Sequence, residues 1–588
     1  MSIQPPGLAI PPAAPPPRAR FFTLRLGLLT LTAAVVVGML AITTPKGASR
    51  PATRRLTIAV VNPIIEGGKA LEDITRIDPN GSHPLLLRWL LNLVYEPCIR
   101  YKVDETVAVG EAPRPRPSNI RDIYEGTLMD LSDFTTTIDP MGKCVGSFVL
   151  RKQPPVFFAD GTGPLRVPQL EYGFASFRSL IRNTYSDSSK VEIVTESDRV
   201  RASVENITGC QNAMLGLVLS VPRAFTTREV NGQNMYVGTG PFRFAQSGEQ
   251  QLILTRNERH PMAAQLGIDE IEFAYYQDLN DIASGNARVD MVISNYDVYR
   301  RAGREPPERM AVRMVPIGMH YFAVVNRKRV PDEARRTLIW KKGLEPARER
   351  LFANGDLPRL EALSSDYWFP AGWASGSVMQ AYVPELKQAA FGHGLPEVDG
   401  EARLEGRIAV LLVGGVLTDD TREPFVGYLR DALRSAGARE VSFNVASSAT
   451  TDWGNYDIVL FRREFDPLFG DPSQLLTGGG IGAQIESAVT DGNERLKRNL
   501  GVFAGLILNS GPNNASVAER TFEIQQDLAK DISLFPLFTV PTYIYYDKAK
   551  MDSVKANYRE GFVSLANWGL RVEPPVITAK GGCGGTPQ

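Results

Sequence analysis

Apolar and polar positions alternate most clearly at Phe242-Arg243-Phe244, entered through Gly238-Thr239-Gly240-Pro241. A polar break at Ser247-Gly248-Glu249 follows, then Leu252-Ile253-Leu254-Thr255-Arg256-Asn257. Two glycines and a proline predict a tight turn, because glycine takes positive φ and proline fixes its own. The pattern reads as a buried β-ribbon with Phe242 and Phe244 on one face. Further strands are expected at Leu56–Val61, Ser147–Arg151, Ile271–Tyr276, Val289–Ile293 and Tyr321–Asn326. Val191–Val194 and Val200–Val204, flanking Asp198, read as a hairpin, and Asp160-Gly161-Thr162-Gly163 as a turn. Leu85–Tyr95 and 332–354 read as helices, as does the segment from Val167 through Phe177. Residues 101–130, with Pro113, Pro115 and Pro117 among charges, read as a surface insertion.

A new unit begins at Arg407–Val413, a continuous apolar run. Phe425, Leu429 and Leu433 then fall at helical spacing, Gly437 stops the helix, and Val441–Val445 and Tyr456–Phe461 follow as strands. This β-α-β order predicts a parallel sheet. Phe535–Phe538 and Tyr543–Tyr546 close the body.

At 588 residues the chain exceeds one hydrophobic core. The formal charge is zero but uneven: residues 1–55 hold seven basic and no acidic side chains, leaving 58 basic against 65 acidic, a net of −7. That balance argues against a nucleic-acid partner. The four cysteines form no C-x-x-C pair, and the four histidines form no H-E-x-x-H, so neither zinc chemistry nor any other cofactor is expected. Buried thiols are the simplest reading of the cysteines; in an exported chain one disulfide among Cys98, Cys144 and Cys210 is open. No G-x-S-x-G is present and no histidine adjoins a recognisable nucleophile, which argues against an enzyme.

The leader 1–25 is proline-rich and basic, and the uncharged stretch 26–45 is long enough to span a bilayer. Arg18, Arg20 and Arg25 before it predict a cytoplasmic N-terminus and an extracytoplasmic body. An uncleaved anchor is favoured over a signal peptide, since the small-residue sites near Ala41 and Ala48 are poor.

Several stretches, in order, resemble the family 5 extracellular solute-binding proteins, the dipeptide and oligopeptide receptors of ATP-binding-cassette importers. They are Ile77-Asp78-Pro79, Leu93-Val94-Tyr95-Glu96-Pro97, Phe148–Arg151 with Phe157-Phe158-Ala159-Asp160-Gly161-Thr162, Val237–Phe244 with Arg256-Asn257, Ile268–Val292, Tyr456–Pro472 and Phe535–Phe538. The resemblance implies an α/β, two-lobed periplasmic-binding-protein-like fold of the large, three-subdomain type, here with an N-terminal transmembrane helix. It divides the body into lobe I (56–322), lobe II (323–535), a return to lobe I (536–576) and a flexible tail (577–588). It implies a receptor that encloses a small or peptide solute and docks on a permease. The alternative is a membrane-anchored ligand-binding or sensor module on the same fold.

The resemblance also places the ligand. In the peptide receptors a Trp lies seven residues before the proline of a D-P pair and an ammonium-binding Asp four before it. Counting back from Pro472, Phe465 keeps the aromatic wall and Leu468 replaces the carboxylate. A buried ammonium without a carboxylate is costly, so a free-amine peptide is disfavoured. The expected ligand-binding residues are Phe465, Asp466, Glu464, Arg463 and Tyr95. Trp340-Lys341-Lys342-Gly343 departs from the helix usual in the family.

Overall fold

The computed structural model describes residues 54–563 apart from internal stretches, of which the longest are 171–190, 358–396, 465–483 and 503–522. The leader, the segment 26–45 and the tail lie outside the described residues. Among the described residues no helix is long and apolar enough to cross a membrane.

Strand β1 (Arg55–Val60) starts the body. Strands β2 (Ile99–Tyr101) and β3 (Tyr124–Gly126) pair antiparallel. Strands β4 (Thr135–Ile138), β5 (Cys144–Val149), β6 (Val191–Thr195) and β7 (Arg199–Val204) form a separate sheet in the order β4-β5-β7-β6. A second antiparallel pair is β8 (Phe225–Val230) with β9 (Gln233–Gly238). The main sheet adds β10 (Phe242–Ser247), β11 (Gln251–Arg256), β12 (Glu270–Tyr275), β13 (Met291–Ser294) and β14 (Met310–Val325). It is completed by β15 (Arg407–Val413), β16 (Glu440–Ala446), β17 (Ile458–Glu464) and β18 (Leu534–Asp547). Its order is β10-β11-β12-β1-β13-β18-β14-β17-β15-β16.

Two groups of parallel strands lie in this sheet. β1 runs parallel to β12 and β13; β15 runs parallel to β16 and β17. Parallel strands are covered on both faces, which is why Ile58-Ala59-Val60 and Val410–Val413 are continuous apolar runs and all buried. Helix α1 (Leu85–Val94) packs on one face of the first group, with Trp89, Leu90 and Leu91 at most 1% exposed. The short helices α2 (Leu279–Ala283) and α3 (Val298–Arg301) begin at Asp278 and Asp297, whose carboxylates accept the Asn280 and Arg300 amides. In the second group, α4 (Glu333–Ile339), α5 (Glu345–Ala353) and α6 (Arg422–Ser435) cover the sheet.

Several expectations are corrected here. The insertion read at 101–130 is folded at both ends: Tyr101, Val107, Leu128 and Met129 are buried, and Tyr101 pairs with Tyr124. The strands read at Tyr321–Asn326 and across Phe535–Tyr546 are parts of longer ones, β14 and β18, which pair along almost their whole length. Between α4 and α5 the chain makes a π-helical turn, Trp340–Leu344, at the segment that departs from the family pattern. Gly343 lets it close, since a Cβ there would lie 2.6 Å from Leu433 on α6. Of the helix expected from Val167, one 3₁₀ turn (Val167–Leu170) is described. Cys144 is disulfide-bonded, its partner lying outside the described residues, and Cys98 is a buried free thiol.

Candidate ligand crevice

The paired strands β14 and β18 are the only described part of the main sheet shared by both parallel groups. Their register shifts twice, between Tyr321 and Phe322 and, more widely, in the middle. Val315 pairs with Thr542 and Met319 with Val540, so Pro316, Ile317 and Gly318 stand opposite the single residue Pro541. Two prolines withhold N–H donors and a glycine relaxes the backbone, so the sequence cannot continue the ladder there. Below the break β18 pairs with β13, and above it β14 pairs with β17.

The register then fixes where each parallel group ends. Ser294, the last residue of β13, pairs with Tyr543, and Val60 lies level with Ile293. Glu464, the last residue of β17, pairs with Met319. Both sets of carboxyl ends therefore finish at the level of the bulge, approaching it from opposite directions. In open α/β sheets, ligands bind outside the carboxyl ends of the strands.

Polar groups gather at this level. Thr542 Oγ1 donates to Asn295 Oδ1 at 3.4 Å beside the buried Ser294. On the other side of the bulge His320 Nδ1 lies 2.8 Å from Thr539 Oγ1, cross-linking β14 and β18. Burial pushes the His320 imidazole down to about 3, so the ring is neutral at physiological pH. Among the described residues no group of His, Cys, Asp and Glu is arranged to hold a metal ion.

The structure separates the expected ligand residues. Arg463 and Glu464 end β17, with their backbones paired to His320 and Met319, at the crevice. Phe465 and Asp466 follow directly but lie outside the described residues, as does Leu468. Tyr95 is elsewhere. It is fully buried beside α1, its hydroxyl donates to the Tyr236 carbonyl (3.2 Å), and its ring packs edge-on against Phe225. Burial raises its phenol far above the ordinary range. Ser294, Asn295 and Thr542 were not singled out from the sequence; their signal was position, just past a strand or beside a proline in one.

The family-like motifs of the first half converge on Tyr95's surroundings. Gly240 N donates to Val94 O at the end of α1 (2.8 Å), and Ala159 N donates to Gly238 O (3.0 Å). Asn257 seals the turn, its amide donating to Pro241 O (2.8 Å) and its Nδ2 to Gly240 O (2.9 Å). A Cβ at Gly238 would collide with the Val94 carbonyl oxygen, and one at Gly240 would lie 2.6 Å from Leu93 O. The glycines are thus required by close approach of two backbones, and neither has positive φ.

No protein-family model matches the sequence, and no curated protein matches it. Solved structures do match. A peptide-binding protein AppA from Clostridium difficile, described as putative, aligns over 88% of this chain and all of its own, with TM-score 0.60 and 11% identity. The fold is that of the substrate-binding proteins of ABC importers. NikA from Brucella suis, in complex with Fe(III)-EDTA, aligns over 88% of this chain and all of its own (TM-score 0.59, 14% identity). The oligopeptide-binding protein AppA from Bacillus subtilis, in complex with a nonapeptide, does so over 88% and 100% (TM-score 0.55, 13% identity). The likeness to family 5 solute-binding proteins thus holds for the fold across most of the chain.

Proposed function

We propose that the chain is an extracytoplasmic solute receptor, not an enzyme, which encloses a small solute between two lobes and delivers it to an ATP-binding-cassette importer. The observation that carries this reading is the meeting of two sets of strand carboxyl ends at one bulged, two-stranded connection. That arrangement leaves a crevice whose walls can approach by bending at Pro316–Gly318 and Pro541. Lobe I then runs to this bulge and lobe II beyond it, with β18 returning the chain to lobe I. The disulfide at Cys144 fits an oxidising compartment, and residues 26–45 supply the membrane tether.

The solved relatives are named for ligands as different as a nonapeptide and an iron chelate. Specificity within this fold therefore follows the crevice side chains. In this chain we assign the wall to Arg463, Glu464, Phe465 and Asp466. Leu468 directs the site away from free-amine peptides. Solute released from natively purified protein by unfolding, once identified, provides the calorimetric titrant. Phe465→Ala is expected to weaken its binding about tenfold or more, on the order of 1.4 kcal/mol, with an unchanged thermal melt. Equal affinity in the variant would remove Phe465 from the site.

A further inference from the structure

A second cavity, about 140 Å³, lies at the other end of lobe I, where β10 leaves the Gly238–Pro241 turn. Register sets its place. Phe242 pairs with Arg256, Thr255 with Glu270 and Glu270 with Arg55, so the turn sits at the amino end of β1, away from the crevice. Its walls include Val94, Met235 and Phe244, and three charged side chains reach it: Asp160, Arg228 and Arg243.

These charges are not spent on one another. Asp160 Oδ1 accepts the Thr162 amide (3.0 Å) and hydroxyl (2.7 Å), while its Oδ2 is buried without a hydrogen-bond partner. A buried carboxylate oxygen lacking a donor is costly, and a donor arriving from outside relieves that cost. The guanidinium groups of Arg228 and Arg243 have no ion pair or hydrogen bond among the described residues. A guanidinium presents a planar fork of donors that matches a carboxylate.

We infer that this cavity is a binding site for a small zwitterion, a free α-amino acid with little or no side chain. The ammonium group donates to Asp160 Oδ2, and the carboxylate lies against Arg228 and Arg243. Size agrees: a space of about 140 Å³ has room for a small molecule such as glycine or alanine. A simple anion would leave Asp160 unsatisfied beside like charge, and a simple cation would face two guanidinium groups. The inference does not rest on the receptor reading, since no crevice residue takes part.

Equilibrium dialysis of the full chain against labelled glycine and L-alanine tests it, with acetate and methylammonium as the two half-ligands. Saturable binding of glycine or L-alanine is expected, at least tenfold tighter than either half-ligand. Asp160→Asn keeps the acceptor for Thr162, and Arg243 is exposed; each variant is expected to melt as the parent and to lose binding tenfold or more. Arg228→Ala gives the same reading should either fail to fold. Phe465→Ala should leave glycine binding intact. Absence of saturable binding, acetate binding as tight as glycine, or undiminished binding in the folded variants would each overturn the assignment.

Discussion

Around β18 the second parallel group is held by stacked rings. Trp340 lies flat on Phe535 (5.2 Å between centroids, 6° between planes), Tyr321 on Phe538 (4.9 Å) and Phe322 on Phe461 (5.4 Å). The first parallel group is held quite differently where the segment 556–563 returns beneath α1. Phe562 packs edge-on against Trp89 (5.7 Å between centroids), but most of the segment's polar groups are fixed by buried hydrogen bonds. Trp89 Nε1 and Arg88 donate to Tyr558 O, Asn92 Nδ2 to Glu560, and Asn557 Nδ2 to Tyr101 O and Val103 O. Arg223, buried between them, donates to Asn92 Oδ1 and Pro79 O. Burial lowers the Arg223 guanidinium to about 10 and raises the Glu560 carboxyl, opposed by the nearby arginines. An apolar core tolerates many close packings, whereas a buried polar seam is satisfied by one arrangement. Around the first parallel group, buried polar contacts thus position chain segments that lie more than four hundred residues apart in sequence, such as Asn92 and Glu560.

The contrast can be broken from either side. Trp340→Ala, which empties the stack on Phe535 and removes the ring under Arg348, should cost about 3–5 kcal/mol in urea unfolding. Arg223→Ala strands the buried Asn92 and Pro79 oxygens and should cost roughly 3 kcal/mol. Arg223→Lys should recover little of it, because the fork that spans both acceptors is lost.

Smaller effects follow from pH. His320 has a folded value near 3 against 6.5 when unfolded. Below pH 6.5 the unfolded chain binds the extra proton, so stability falls as pH drops from 6.5 toward 3, by about 2 kcal/mol at pH 5. In His320→Gln the slope of melting temperature against pH over that window should flatten. Glu96 acts lower on the scale. Burial works to raise its carboxyl, but His260 at 2.9 Å, with Arg100 and Arg151, outweighs burial and lowers it. Its stabilisation is present above about pH 4.5 and is lost as pH falls through the folded value. Glu96→Gln should therefore reduce the acid sensitivity below pH 4.5 and leave the slope above it unchanged.

Periodicity made the parallel strands legible, because burial on both faces leaves uninterrupted runs such as Arg407–Val413. The same logic failed across Pro316 and Pro541. There a strand does continue, but only because the ladder bulges around the prolines, a tertiary arrangement that no local pattern records. Gly238 and Gly240 stood out correctly as fold determinants for the wrong reason, since their role depends on Val94, more than a hundred residues away. The strand read at Tyr456–Phe461 runs on to Glu464 as β17. Tyr95 was expected to face the ligand from its place beside a motif; its burial beneath β9 cannot be seen in its sequence neighbours. Seam residues such as Arg223 and Glu560 look like ordinary surface charges in the sequence.

Solute enclosure in the crevice at the bulge is what the proposed function requires. Native mass spectrometry of the chain purified without unfolding, beside the same protein unfolded, washed and refolded, tests it most directly. An added mass of one small solute is expected on the first sample and not on the second. Identical bare masses, with no solute recovered from the native preparation, would contradict it.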